Sequence, residues 1–131
     1  MNVEIMSFTE RTIKATELMT LYHDAGWWGE RKEQDIEHML QRVVSVGVWK
    51  NDVLIGFARS VTDGMFRAYI EDVVIHKEFQ KTGIGKNLVS RLLDELSHID
   101  IISLFCEKDL ITFYEKNNFN FSKSQFVMHR K

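Results

Sequence analysis

A chain of 131 residues with 44% hydrophobic content and no proline is expected to form one domain, residues 1–131, burying roughly two thirds of its unfolded surface. Its net charge of −2 argues against the basic face that captures nucleic acid, and no apolar run approaches the ~20 residues that span a bilayer. One cysteine, Cys106, excludes an internal disulfide, and five histidines without an H-E-x-x-H or other paired ligand spacing lead us to expect no metal.

The opening residues mix Glu4, Glu10, Arg11 and Lys14 with apolar side chains. No secretory h-region is expected there, and the lone cysteine favours a reducing, cytoplasmic setting. Val3, Ile5 and Phe8 suggest a first strand. Thr16 is a candidate cap for a helix carrying Leu18, Leu21, Tyr22 and Ala25 on one face. Gly26-Trp27-Trp28-Gly29 breaks that helix. A second helix shows the half-buried stripe Ile36, Met39, Leu40 and Val43. Val46 and Val48 alternate up to a turn at Asn51-Asp52, Val53 to Val61 reads as a strand, and Phe66 to Ile75 as a longer one.

The most informative stretch follows: Phe79-Gln80-Lys81-Thr82-Gly83-Ile84-Gly85-Lys86. The apolar run Val73-Val74-Ile75 leads in, and Leu88, Val89, Leu92, Leu93 and Leu96 lead out at helical spacing. Two glycines therefore sit on a strand-to-helix turn, where free N–H groups and the positive end of the macrodipole attract phosphate. A P-loop is excluded, because Gln80 stands where its first glycine belongs and Asn87 where its Ser/Thr belongs. The dinucleotide fingerprint is excluded by Leu88 in place of its third glycine.

Beyond this helix, Ile101 to Cys106 reads as a short strand, with Cys106 expected to be buried and inert. Asp109 is a candidate cap for a helix presenting Leu110, Phe113, Tyr114 and Asn117. Asn117-Asn118 ends it, since asparagine tolerates the left-handed conformation. Phe119-Asn120-Phe121 and Phe126-Val127-Met128 are expected to close the fold as a hairpin. The order is β-α-α-β-β-β-α-β-α-β-β, an α/β fold with a mixed, mostly antiparallel sheet sandwiched by helices.

The spacing Gln80-x-x-Gly83-x-Gly85 resembles the pyrophosphate loop of the GCN5-related N-acetyltransferases, and the element order matches their layout. Phe113-Tyr114-Glu115-Lys116-Asn117-Asn118-Phe119 resembles the family's F-Y-x-K-x-G-F segment, with Asn118 where glycine is usual. Tyr69-Ile70-Glu71-Asp72 resembles the Y-[LI]-E-D stretch of polyamine-acetylating members. The resemblance implies acetyl-CoA as cosubstrate, a small-molecule amine as acceptor and a homodimer. It gives the cosubstrate's pyrophosphate the loop from Gln80 through Lys81, Thr82, Gly83, Ile84 and Gly85 to Lys86. It gives the pantetheine arm the backbone of Val73, Val74 and Ile75, and the oxyanion an N–H near Val73 or Val74.

Glu71 is the candidate general base, directly or through a water; orienting the amine or pairing with a cation is the alternative. On a regular strand Tyr69, Glu71 and Val73 share one face and Asp72 points the other way as a structural residue. Tyr114 is the candidate hydrogen-bond donor to the leaving sulfur, with Tyr22 and Tyr69 as rivals. A covalent role for Cys106 lacks a histidine partner. Trp27, Trp28 and Tyr69 are candidate acceptor-binding residues, because aromatic faces suit a cationic or aromatic amine; the tryptophans equally suit a lid or a dimer contact. An acyl-CoA sensor without turnover and a protein-lysine or N-terminal acetyltransferase are the competing readings.

Overall fold

The computed structural model describes residues 2–130. Strand β1 (Glu4–Ser7) is followed by helices α1 (Ala15–Asp24) and α2 (Glu33–Leu40), then by strands β2 (Val44–Lys50), β3 (Val53–Thr62) and β4 (Arg67–Ile75). A single 3-10 turn (Lys77–Phe79) leads to α3 (Ile84–Glu95), β5 (Ile101–Leu104), a second 3-10 turn (Lys108–Leu110) and α4 (Ile111–Glu115). The five strands lie in the order β1-β2-β3-β4-β5. All neighbours are antiparallel except β4 and β5, which run parallel.

The alternation of apolar residues sorts the strands between two cores. On one face Ile84, Leu88 and Leu92 of α3, with Leu96 just past its end, lie over Val46, Val48, Ile55, Ala58, Ala68 and Ile70. On the other, Leu18, Leu21 and Tyr22 of α1 with Ile36 and Leu40 of α2 cover Trp49, Leu54, Phe57 and Val74. Truncating one of these leucines to alanine would cost about 2–5 kcal/mol. Among the described residues no helix is long and apolar enough to cross a membrane.

Several expected boundaries move. Thr16 does not cap α1; Lys14 is the cap position, and its N–H donates to Glu17 Oε1 at 3.2 Å. Asp109 falls inside the 3-10 turn instead of capping α4, and β5 ends at Leu104, before Cys106. Asn118 does take the left-handed conformation, with φ of 67°, and ends α4.

The closing hairpin does not form. Residues 119–121 and 126–128 are not strands, although the Ser122 hydroxyl accepts the N–H groups of Ser124 and Gln125 in a turn between them. Phe121, Phe126, Val127 and Met128 are exposed, Phe126 at 86%. Phe119 alone of these side chains packs on the α3 core; two three-residue runs with so little else buried cannot hold a pairing.

Candidate functional site

Four features meet at the end of β4. The first is a widening gap in the sheet. Pairing of β4 with β5 stops at Ile70 and Leu104, while β4 continues beside β3 to Ile75. Residues 71–75 therefore present an edge with no strand beside it. His76 donates its N–H to the Ile55 carbonyl on β3 at 2.8 Å, so the trans peptide turns the Ile75 carbonyl to that open edge. Gln80 Nε2 donates to this carbonyl at 3.0 Å. That bond folds the start of the glycine turn back onto the strand.

The second feature is a bulge. Glu71 faces Arg59 and Val74 faces Phe57, so Asp72 and Val73 together oppose Ala58 alone. Asp72 takes φ of 55°, and the extra residue leaves its backbone groups outside the ladder. The bulge reverses the alternation of side chains. Ala68 and Ile70 belong to the α3 core and so do Val73 and Ile75, while Val74 belongs to the α1 core. The expectation that Tyr69, Glu71 and Val73 share a face is therefore overturned. Asp72 does not point away from Glu71 either, since both carboxylates reach Arg59.

The third feature is the glycine turn. Lys81 and Gly83 have φ of 62° and 88°, and Gly83 is the cap position of α3. The first main-chain bond of this helix runs from the Asn87 N–H to the Gly83 carbonyl. Among the described residues no acceptor takes the N–H groups of residues 81–86. The Thr82 hydroxyl donates instead to the Phe79 carbonyl at 2.6 Å, which tightens the bend. The two glycines serve different ends. A Cβ on Gly83 would meet nothing within 4 Å, whereas a Cβ on Gly85 would lie 3.1 Å from the Phe113 ring. Gly83 is there for its positive φ and open surface; Gly85 is there so that α4 can approach.

The fourth feature is α4 itself. Phe113 fills the space at Gly85, and Asn117 Nδ2 donates to the Lys86 carbonyl at 3.2 Å. The aromatic segment and the glycine turn are thus one packed unit, which sets Tyr114 beside the start of α3. Tyr114 is buried and its ring is edge-on to Phe113 at 4.8 Å. Burial first, and then the charge at Cys106, pushes its hydroxyl up to about 12. Cys106 is exposed, contrary to expectation, because β5 stops short of it. Its thiol is raised by partial burial and by Asp109.

A polar chain runs beneath the bulge. Arg59 donates from Nε to Asp72 Oδ2 and from Nη2 to Glu71 Oε2, both at 2.8 Å. Asp72 Oδ2 also accepts from the Tyr22 hydroxyl at 2.9 Å and from Arg31 Nη1 at 3.4 Å. Burial alone would lower the proton affinity of Arg59; the hydrogen bond and charge of Asp72, with the charge of Glu71, outweigh it and hold the guanidinium above its usual value. Burial, then Asp72, raises the Tyr22 hydroxyl. Tyr22 is therefore a partner of Asp72, not a free donor.

Arg31 carries the chain outward. Its guanidinium carbon lies 4.0 Å from the centroid of the exposed Trp28 ring. Trp28 meets Trp27 at 6.2 Å, and half-buried Trp27 packs on the α1 core. Tyr69 is placed elsewhere. Its ring lies 5.0 Å from that of Phe105, tilted by 49°, and lines a surface hollow with Val61, Arg67 and Ser103 at the far end of β4 from the turn. Burial, then the charge of Glu71, raises its hydroxyl.

The sequence reading gave Arg59 no role, took Asn117 only as a helix-face residue that ends α4, and left Arg31 without a partner. Arg59 carried a signal, since it is the only charged residue in the apolar run Val53 to Val61, and such a residue must find a partner inside. Among the described residues no cluster of three or more potential metal ligands occurs.

A model of the acetyltransferase (GNAT) family matches residues 9–119. The uncharacterized N-acetyltransferase ycf52 of Porphyra purpurea is 38% identical over 117 residues, 83% of this chain and 66% of that protein. The ycf52-like uncharacterized N-acetyltransferase of Prochlorococcus marinus is 37% identical over 112 residues, 80% of this chain and 62% of that protein. The match thus spans less than two thirds of these relatives' own length. A probable acetyltransferase of unknown function from meticillin-resistant Staphylococcus aureus superposes with a TM-score of 0.85 at 19% identity, covering 99% of both chains. An acetyltransferase from Streptococcus pneumoniae gives 0.81 at 20% identity, covering 99% of this chain and 100% of that one. At these identities the structural likeness speaks for the fold.

Proposed function

This chain belongs to the acetyltransferase (GNAT) family, and from that premise we propose that it transfers an acetyl group from acetyl-CoA to a primary amine on a small molecule, such as a polyamine or aralkylamine, by direct attack in a ternary complex. One observation carries the reading: the unpartnered N–H groups of residues 81–86 stand at the start of α3, directly beyond the open edge of β4. Main-chain donors at a helix start suit a pyrophosphate. An unpaired strand edge suits the amides of a pantetheine arm, which would add as a strand beside Val73, Val74 and Ile75.

The chemistry sets what the other residues must do. An alkylammonium titrates near ~10.4, so only about one molecule in 10³ is a free amine at pH 7. Glu71 takes the amine's proton, directly or through a water; its Oε2 is held by Arg59, and its side chain remains 34% exposed. The amine nitrogen then bonds to the acetyl carbon. A backbone N–H near Val73 or Val74 on the bulge receives the oxyanion. When the C–S bond breaks, sulfur leaves as thiolate, and the second proton lost from the amine nitrogen passes through solvent to the sulfur, so that the products are amide and thiol.

Tyr114 assists that departure with a hydrogen bond. Its hydroxyl near 12 against a thiol near ~8.5 makes complete transfer uphill by about 5 kcal/mol. A hydrogen bond that strengthens as charge gathers on sulfur needs no such transfer. Trp27 and Trp28 wall the acceptor side in this reading, and a homodimer in the cytoplasm completes it.

The test is free-thiol release from acetyl-CoA by purified protein with polyamines, aralkylamines, amino acids and aminoglycosides in parallel. Amine-dependent release is expected with at least one class, and Glu71→Gln should lower it most at low pH, where the free amine is scarcest. Bound acetyl-CoA without release across the panel would end the small-amine reading and leave the sensor and the protein acetyltransferase.

A further inference from the structure

We propose that Arg59 is a positioning residue for acetyl transfer: its two-armed guanidinium ties the Glu71 carboxylate to the bulged peptide at Asp72, so that the proton acceptor and the oxyanion-binding backbone are held in one frame. The inference rests on the transferase reading above.

The geometry gives Arg59 little else to do. It stands on β3 directly opposite Glu71 in the register, is almost fully buried, and spends Nε on Asp72 and Nη2 on Glu71 at the same 2.8 Å. Asp72 is consumed by the chain itself. Its side chain is only 2% exposed, and one oxygen accepts from Arg59, Tyr22 and Arg31. It is closed to a ligand and serves to hold its own peptide in place. That peptide needs holding, because φ of 55° at a residue with a Cβ is strained.

Glu71 is the opposite case. Only Oε2 is engaged, and among the described residues Oε1 has no donor. Arg59 therefore fixes the direction of this carboxylate while leaving one oxygen free for a proton. The charges balance, Arg59 and Arg31 against Glu71 and Asp72, so the network is neutral without help from an acceptor. A lysine could supply the charge but not the planar fork that spans both carboxylates.

The experiment compares wild type, Arg59→Lys, Glu71→Gln and the double variant, with each rate expressed per acetyl-CoA-binding site counted by calorimetry. Arg59→Lys is expected to keep acetyl-CoA affinity within about threefold and to lose kcat by at least about thirtyfold. On a Glu71→Gln background the same change should cost several-fold less than on the wild type, because the part of its effect that passes through Glu71 is already lost and only the part that passes through Asp72 remains. A merely structural Arg59 would reduce the number of binding sites and leave kcat per site unchanged, which would overturn the inference; so would full additivity of the two substitutions.

Should Arg59→Lys fail to fold, nitrogen-15 spectra of the wild type with acetyl-CoA bound decide the matter. Arg59 should show distinct, slowly exchanging Nη signals, and averaged signals from a freely turning guanidinium would overturn the proposal. A wild type that releases no thiol with any amine would remove the transferase reading and this inference with it. Normal wild-type turnover with an unaltered Arg59→Lys would remove only the inference.

Discussion

Tyr114 shows how one side chain's setting narrows its chemistry. Burial and the charge at Cys106 raise its hydroxyl to about 12, so it remains protonated, and able to donate, until the pH passes that value. We expect Tyr114→Phe to lower kcat at least about tenfold, or about 1.4 kcal/mol of transition-state stabilisation, with acetyl-CoA affinity little changed. The loss should be equal at pH 6 and pH 10, because the phenol does not ionise between them. Steady-state rates at the two pH values check this, and unchanged turnover would take Tyr114 out of the mechanism. Tyr114 was legible in the sequence because its neighbours form a recognisable segment. Arg59 and the turned Asp72 were not. The left-handed φ of Asp72 is held by Tyr22, Arg31 and Arg59, and partners that distant in the chain leave no local pattern.

Elements were read well where a periodic face had something to cover. The α3 stripe and β2 to β4 emerged as expected because their alternation matches two real cores. The closing hairpin did not, since its alternation is short and, past Phe119, its apolar side chains stay exposed. The bulge was hidden because one inserted residue reverses every inference from period-two spacing. A contact between elements also fixes the acid response. Glu10, after β1, accepts the Ser7 N–H at 2.9 Å and pairs with Arg91 of α3, which donates to the Ile5 carbonyl. The Ser7 N–H first, and then Arg91, holds the Glu10 carboxyl at about 2. A carboxyl lowered by folding adds stability above its unfolded value near ~4.3 and loses it as the pH falls towards the folded value. Urea midpoints of wild type and Glu10→Gln should therefore differ at pH 6 and converge as the pH approaches 2. A difference independent of pH would contradict this assignment.

At the scale of the molecule, two helices on one face and one on the other hold a sheet that splits beyond Ile70, and the glycine turn sits beyond the end of β4. The split, the bulge and the turn are consecutive in the chain from Glu71 to Lys86, which is why a short stretch of sequence already pointed to the donor side. The acceptor side proposed above would draw on the α1–α2 connection and β4, which contacts such as Arg31 on Trp28 and on Asp72 tie together; the sequence offered the tryptophans there, but no spacing announces those contacts.

The central claim is that main-chain nitrogens of residues 81–86 hold the diphosphate of an acyl donor. Isothermal calorimetry of acetyl-CoA against wild type and Gly83→Val tests it most directly, because valine is strained at φ of 88° and would cover the open turn. Saturable association with the wild type is expected, and an affinity for Gly83→Val weaker by at least about tenfold, or about 1.4 kcal/mol. No heat of association at millimolar acetyl-CoA, or equal affinity for the two proteins, would contradict the account.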